Sequence, residues 1–260
     1  AIEFYNSLGL EIALITNGLF RNEEQICLIG ENCRWIGISI DSGTPETYEK
    51  IRKTDSFSRV IQNAATLMTH RPTETMGKAG LDTGQGVTYK YLLLPDNVQD
   101  LLQATEMARS VGFNRIHIRP ATQHWFREFE TDFDLDYVAE SIKKCRALET
   151  EDFKVEAIFH KFNPEIKVQH KFETCRSTPL MLCLEANGNM NLCIDQKGNP
   201  DLILGNHNDL TNIKKLWGSQ EHLDRINGIR VASCPKCTFE DYNTYFEHGA
   251  IKDRFSRNFT

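Results

Sequence analysis

Apolar runs and helical periodicities alternate through about the first 165 residues of the chain. That alternation is the pattern of β/α units built on a parallel sheet. Residues 11–16 (EIALIT) form an apolar run ending at Asn17-Gly18, residues 35–40 (WIGISI) one ending at Asp41-Ser42-Gly43, and residues 87–94 one ending at Pro95-Asp96-Asn97. Residues 115–120 (RIHIRP) and 153–159 (FKVEAIF) predict two further strands. Polar strand endings lead into helices. Thr44-Pro45-Glu46 supplies a hydroxyl cap, a first-turn proline and an acid at the positive end of the dipole. Further helices are predicted over 56–70, over 97–111 with Gly112 as the stop, and over 134–148. The chain opens on Ala1 inside an amphipathic stretch (Ile2, Phe4, Tyr5, Leu8), from which a missing N-terminus is expected. Residues 71–86 carry four glycines and few apolar groups, and predict a surface loop without dinucleotide or P-loop spacing.

Beyond about residue 165 the rhythm changes to short segments and glycine–asparagine turns. Residues 181–195 (MLCLEANGNMNLCID) predict two short strands joined at Asn187-Gly188, and a single helix is expected over 211–226 around Trp217. The expected domains are therefore 1–165, an α/β unit, and 166–260, a smaller α+β unit.

With 260 residues, 40% of them hydrophobic, the chain can fill an ordinary globular core. A formal charge of −6 with scattered Lys and Arg argues against nucleic acid as a partner. No run approaches the roughly 18 apolar residues of a membrane helix, and no signal peptide opens the chain, so the expected compartment is the cytoplasm.

In a reducing compartment the eight cysteines read as thiols and metal ligands rather than disulfides. Cys27, Cys33, Cys145 and Cys183 are read as small buried apolar residues. Cys175, Cys193, Cys234 and Cys237 form a set. The hairpin would bring Cys175 and Cys193 together, and Cys234-Pro-Lys-Cys237 supplies a pair at the two-residue gap that lets both thiolates bind one centre. Four thiolates suit zinc or an iron–sulfur cluster, and spacing alone does not choose.

Cys-x12-Gly-x4-Cys followed by Cys-x2-Cys, with GNMNLCID and Leu204 to Asn206 between, resembles the SPASM domain and its shortened relative, the twitch domain, of radical S-adenosylmethionine (radical SAM) enzymes. LITNG at 14–18, GISIDSGTPETYEKIR at 37–52, LLLPDN at 92–97 and GFNRIHIRPA at 112–121 look like the third to sixth strands of a radical SAM partial barrel. A full SPASM domain would place a cysteine where Asn243 stands, so the match is to the one-cluster twitch type.

The resemblance implies a partial (β/α) barrel lacking its first strands, followed by an auxiliary [4Fe–4S] cluster domain on Cys175, Cys193, Cys234 and Cys237. It implies S-adenosylmethionine lying across the C-terminal strand ends, against Asn17, Ser39, Asp41 and Arg119, the last pairing with a carboxylate. His117 and His160 are candidate proton acceptors there. The family's first cluster, a second [4Fe–4S], needs Cys-x3-Cys-x2-Cys; this chain contains no such triplet, and Cys27 and Cys33 cannot replace it. The expected function is that of a fragment of an enzyme that modifies or oxidises a small-molecule or peptide substrate through a 5′-deoxyadenosyl radical. The auxiliary cluster would accept an electron, and a flavodoxin or ferredoxin would be the donor. The alternative is a non-catalytic, zinc- or cluster-stabilised binding protein derived from that fold.

Overall fold

The computed structural model describes residues 1–121, 133–157, 170–209, 211–234 and 237–252. They belong to two compact units, one holding the described residues up to 157 and one those from His170 onward.

The first unit is built on a five-stranded sheet, β1 (Ala13–Thr16), β2 (Trp35–Ser39), β3 (Gly86–Leu93), β4 (Arg115–Pro120) and β5 (Lys154–Ala157), all parallel and in chain order. Between the strands run α2 (Glu23–Asn32), α3 (Pro45–Arg52), α4 (Phe57–Thr69), α5 (Gly77–Asp82), α6 (Leu101–Val111) and α7 (Leu135–Arg146), after a short opening helix α1 (Ile2–Ser7). Side chains alternate across a strand. Ile36, Ile38, Val87, Tyr89, Tyr91, Ile116, Ile118 and Val155 face the helices, forming one core with Val60, Ala64 and Leu67 of α4, Leu101 and Ala104 of α6, and Val138 and Ile142 of α7. Each fully buried aliphatic side chain contributes about 1.5–3 kcal/mol. Their neighbours, Trp35, Gly37 and Ser39 on β2, Thr88, Lys90 and Leu92 on β3, Arg115, His117 and Arg119 on β4, and Glu156 on β5, lie outside that core on the opposite face.

Two expectations are corrected here. Residues 71–86 are not a surface loop: they fold into a 3₁₀ turn (Thr73–Thr75) and α5. Buried Arg71 donates to the carbonyls of Gly30, Cys33 and Arg34, so it satisfies the orphan acceptors at the C-terminus of α2. The side chain of Asn114 donates to Gly77 O at 3.1 Å and accepts from Val87 N at 2.8 Å, tying the segment to the sheet. The helix expected over 97–111 begins as a 3₁₀ stretch (Pro95–Asp100), where the Asn97 side chain accepts from the N-cap Leu94 N–H and donates to the strand-end carbonyls of Asp41 and Leu92. Gly112 ends α6 at φ +96°, as a helix stop requires.

The second unit contains an antiparallel sheet of β6 (Cys183–Leu184), β7 (Asn189–Asn191) and β8 (Ile203–Asn206), with Gly188 at φ +95° in the β6–β7 turn. Met190, Leu192, Leu202, Leu204 and Ile226 make its core. The helix expected over 211–226 is two, α8 (Thr211–Leu216) and α9 (Gln220–Asn227). Gly218 at φ +81° breaks it and donates its N–H to Nδ1 of buried His222, while Ser219 caps α9. The chain continues through α10 (Glu240–Tyr245) into a π-helical turn (Phe246–Ile251). Among the described residues no helix is long and apolar enough to cross a membrane.

Candidate functional site

Cys175 precedes β6, Cys193 follows β7, and Cys234 and Cys237 flank the approach to α10; the fold brings the four to the wall of one cavity of about 30 Å³. Phe172, Thr178, Leu202, Ile229 and Val231 complete most of that wall. None of the four is in a disulfide. Burial pushes the Cys193 thiol up to about 11 and Cys237 up to about 12, and raises Cys234 as well, with Cys175 adding its charge to each. Buried thiols with raised pKa values are inert until a metal displaces their protons.

Around the sulfurs stands a shell of polar groups. Gln196 Nε2 donates to Cys234 Sγ at 3.2 Å, and Asn243 Nδ2 reaches Cys237 Sγ at 3.6 Å. Fully buried Asn243 also accepts at Oδ1 from the N–H groups of Arg176, at 2.6 Å, and Ser177, at 2.9 Å, clamping the Cys175 loop onto α10. His170 lies between Glu240 Oε2 at 2.6 Å and the carbonyl of Cys234 at 2.9 Å. Burial opposes its charged form, but the bonds to Glu240 and to the Cys234 carbonyl outweigh that and raise its pKa. Thr178, on the cavity wall and 1% exposed, leaves its hydroxyl without a partner among the described residues. Four thiols, two amide donors and an orphaned hydroxyl match the needs of a thiolate-bound, sulfide-bearing group. As they stand, no three His, Cys, Asp or Glu side chains among the described residues form a group that could hold a metal ion. The thiols border a space rather than converging on a point.

Of the other cysteines, Cys33 and Cys145 are buried as expected, whereas Cys27 and Cys183 are half-buried. Cys27, in the first unit, has its Sγ 3.3 Å from His70 Nε2.

In the first unit, Asn17, Ser39, Asp41 and Arg119 all stand at C-terminal strand ends. Exposed Asn17 accepts from Leu19 N at 3.1 Å and so shapes its own turn. Ser39 ends β2. Asp41, in a left-handed conformation (φ +62°), binds Arg52 Nη2 at 2.5 Å and accepts from Leu92 N at 2.7 Å. Burial raises its pKa, against the pull of Arg52, the Leu92 N–H, Arg119 and Lys90. Asn97 fixes this corner, donating to Asp41 O at 2.8 Å and Leu92 O at 3.0 Å and accepting from Leu94 N. Arg119 is exposed at the end of β4. His117 lies on the same face, one row below Arg119; His160 lies outside the described residues. Arg52 and Lys90 were not singled out from the sequence. Arg52 falls in the last turn of α3 with no mark that it turns toward a strand end, and Lys90 sits in an otherwise apolar run whose alternation is the one available signal.

No family model matches the chain, and no curated protein matches it significantly. Solved structures do. Native anSMEcpe with bound AdoMet and the Kp18Cys peptide matches over 94% of this chain and 71% of its own, at 15% identity and a TM-score of 0.57. Streptococcus suis SuiB bound to S-adenosylmethionine matches over 92% of this chain and 57% of its own, at 10% identity and a TM-score of 0.56. SuiB bound to its precursor peptide SuiA matches over the same shares with the same score. These neighbours are radical SAM enzymes. The fold is the radical SAM fold. The α/β architecture with five parallel strands is common to the chain and to these neighbours.

Proposed function

We propose that this chain is the sheet and auxiliary-cluster portion of a radical SAM enzyme that oxidises a peptide, its second unit being a twitch-type domain with a [4Fe–4S] cluster on Cys175, Cys193, Cys234 and Cys237. The observation that carries this reading is the meeting of four cysteines, from three separate stretches of chain, around one cavity in a chain of radical SAM fold. The peptide comes from two neighbours whose structures hold one. A small-molecule substrate is the broader class, and a cytoplasmic flavodoxin or ferredoxin is the fitting electron donor.

When bound, the auxiliary cluster supplies a one-electron acceptor, since all-thiolate ligation leaves no iron open to substrate. Gln196 and Asn243 direct N–H groups at its sulfur ligands and so set its potential, while His170 and Glu240 hold the Cys234 carbonyl in place. At the strand ends Ser39 and Asn17 offer hydrogen bonds to ribose or amino groups of S-adenosylmethionine. Asp41, held by Arg52, would accept from the cofactor's amino group at the remaining lone pairs, and Arg119 would pair with its carboxylate. No Cys-x3-Cys-x2-Cys triplet occurs in the 260 residues, so the first cluster has no ligand set here and radical generation is not assigned to these residues.

The test is anaerobic purification with iron, sulfide and zinc analysis and visible absorption. About four irons and four sulfides per chain, lost when Cys234 and Cys237 are both changed to serine, are expected. One zinc and no colour would replace this reading with a zinc-stabilised binding protein.

A further inference from the structure

Lys90 occupies the middle of β3 on the face turned away from the helices, in a row with Ser39 on β2, His117 on β4 and Glu156 on β5. It is 9% exposed. Among the described residues its ammonium makes no hydrogen bond or ion pair, and lies instead 5.5 Å from the centroid of the Trp35 ring. The side chain reaches that position by lying across Gly37, where a Cβ would meet Lys90 Cδ at 2.7 Å and the Trp35 ring at 2.6 Å. Trp35 is itself fixed, donating from Nε1 to Thr88 Oγ1 at 2.9 Å.

The neighbouring acids are spent elsewhere. Glu156 is bound by Arg115 at 3.0 Å and Asp41 by Arg52 at 2.5 Å. Burial lowers the Lys90 pKa, and Arg119, on the next strand, lowers it further, with Asp41 and Glu156 opposing. An ammonium on a side chain only 9% exposed and without an acceptor is poorly solvated, and a second cation nearby adds to the cost. An anion docking at this face would relieve both.

We propose that Lys90, seated over Trp35, is the binding site for a carboxylate of the substrate, separate from the strand-end contacts offered to S-adenosylmethionine. The inference rests on the functional reading above for the word substrate; the seat itself rests on unit geometry alone. For a peptide, the ligand is an acidic side chain or a terminal carboxylate. Lys90 is a specificity-determining residue here, drawing the anion in as a point charge while the Trp35 ring limits the direction of approach.

The test is an NMR titration of the full chain as purified, following the Trp35 indole resonance, identified with Trp35→Phe, and the Lys90 Nζ resonance. N-acetylglutamate is expected to move both saturably, and N-acetylglutamine, its neutral counterpart, to move neither. Lys90→Met should weaken binding by about tenfold or more, and Lys90→Arg should retain it. The Lys90 Nζ signal of the unsubstituted chain keeps the test decisive should Lys90→Met fail to fold. Equal shifts with N-acetylglutamine, or unchanged binding in a folded Lys90→Met chain, would overturn the proposal. So would tighter binding of inorganic phosphate, which would point to a phosphorylated substrate. Saturating S-adenosylmethionine, by neutralising Arg119, should weaken N-acetylglutamate binding only modestly and leave it saturable; full displacement would give the seat to the cofactor's own carboxylate and overturn the proposal. None of these readouts needs a cluster, so failure of the metal analysis leaves the result intact.

Discussion

Asn243 shows how much one side chain can be asked to do. It is fully buried, accepts two backbone N–H groups of the Cys175 loop, and donates to Ser177 Oγ and toward Cys237 Sγ. Asn243→Leu should cost about 2–3 kcal/mol in denaturant unfolding, because one buried and one part-buried donor lose their acceptor. In cluster-loaded protein it should lower the reduction potential, since an N–H aimed at a ligand sulfur favours the reduced form. Glu247 is a second anchor. It accepts from Glu173 N and Thr174 N, each at 3.1 Å, and pairs with Lys252 at 2.8 Å. The bond from Lys252, aided by the two N–H groups and opposed by burial, holds its pKa down to about 2 from 4.5. A carboxyl depressed in the folded state stabilises above its unfolded pKa, and that contribution fades as pH falls from 4.5 toward 2. Glu247→Gln should therefore destabilise metal-free protein at pH 6 and flatten its loss of stability below pH 4.5, as read by urea midpoints at successive pH values.

At the scale of elements, the five strands were legible from apolar runs with polar endings, because buried parallel strands carry that signature. Their ends were not. Strand β1 covers Ala13–Thr16 where the predicted run begins at residue 11, although Ile12 O already accepts from Arg34 N at 2.8 Å. The segment 71–86 was misread because glycine content suggests a loop, whereas what orders it is long-range: Arg71 on three carbonyls and Asn114 on Gly77 and Val87. The four-cysteine set was visible from spacing, while its supporting shell of Gln196, Asn243 and His170 was not, since nothing local marks residues that act across dozens of positions. The strand-end corner depends on another close approach. A Cβ on Gly43 would lie 2.5 Å from Asp100 O and 2.7 Å from Ala104 N, both backbone atoms. Gly43→Ala should force α6 away from the β2–α3 turn and cost about 1–3 kcal/mol, lowering the thermal midpoint of the first unit.

For the whole molecule, the division into two units has a thermodynamic consequence. Each has its own core, and the four cysteines belong to the second alone. Removal of metal by a chelator should lower the unfolding temperature of the second unit by several degrees and leave the first within about one degree. Calorimetry on loaded and stripped protein distinguishes the two transitions. Coincident shifts of both would show that the units unfold together.

Strand β1 carries a consequence of another kind. Among the described residues it is hydrogen-bonded on one side only, to β2, and Ile15 on it is 60% exposed, close in sequence to exposed Leu8 and Leu10. A bare backbone edge flanked by greasy side chains is an adhesive. Stocks of this chain should grow turbid on concentration, and Ile15→Lys should keep them clear.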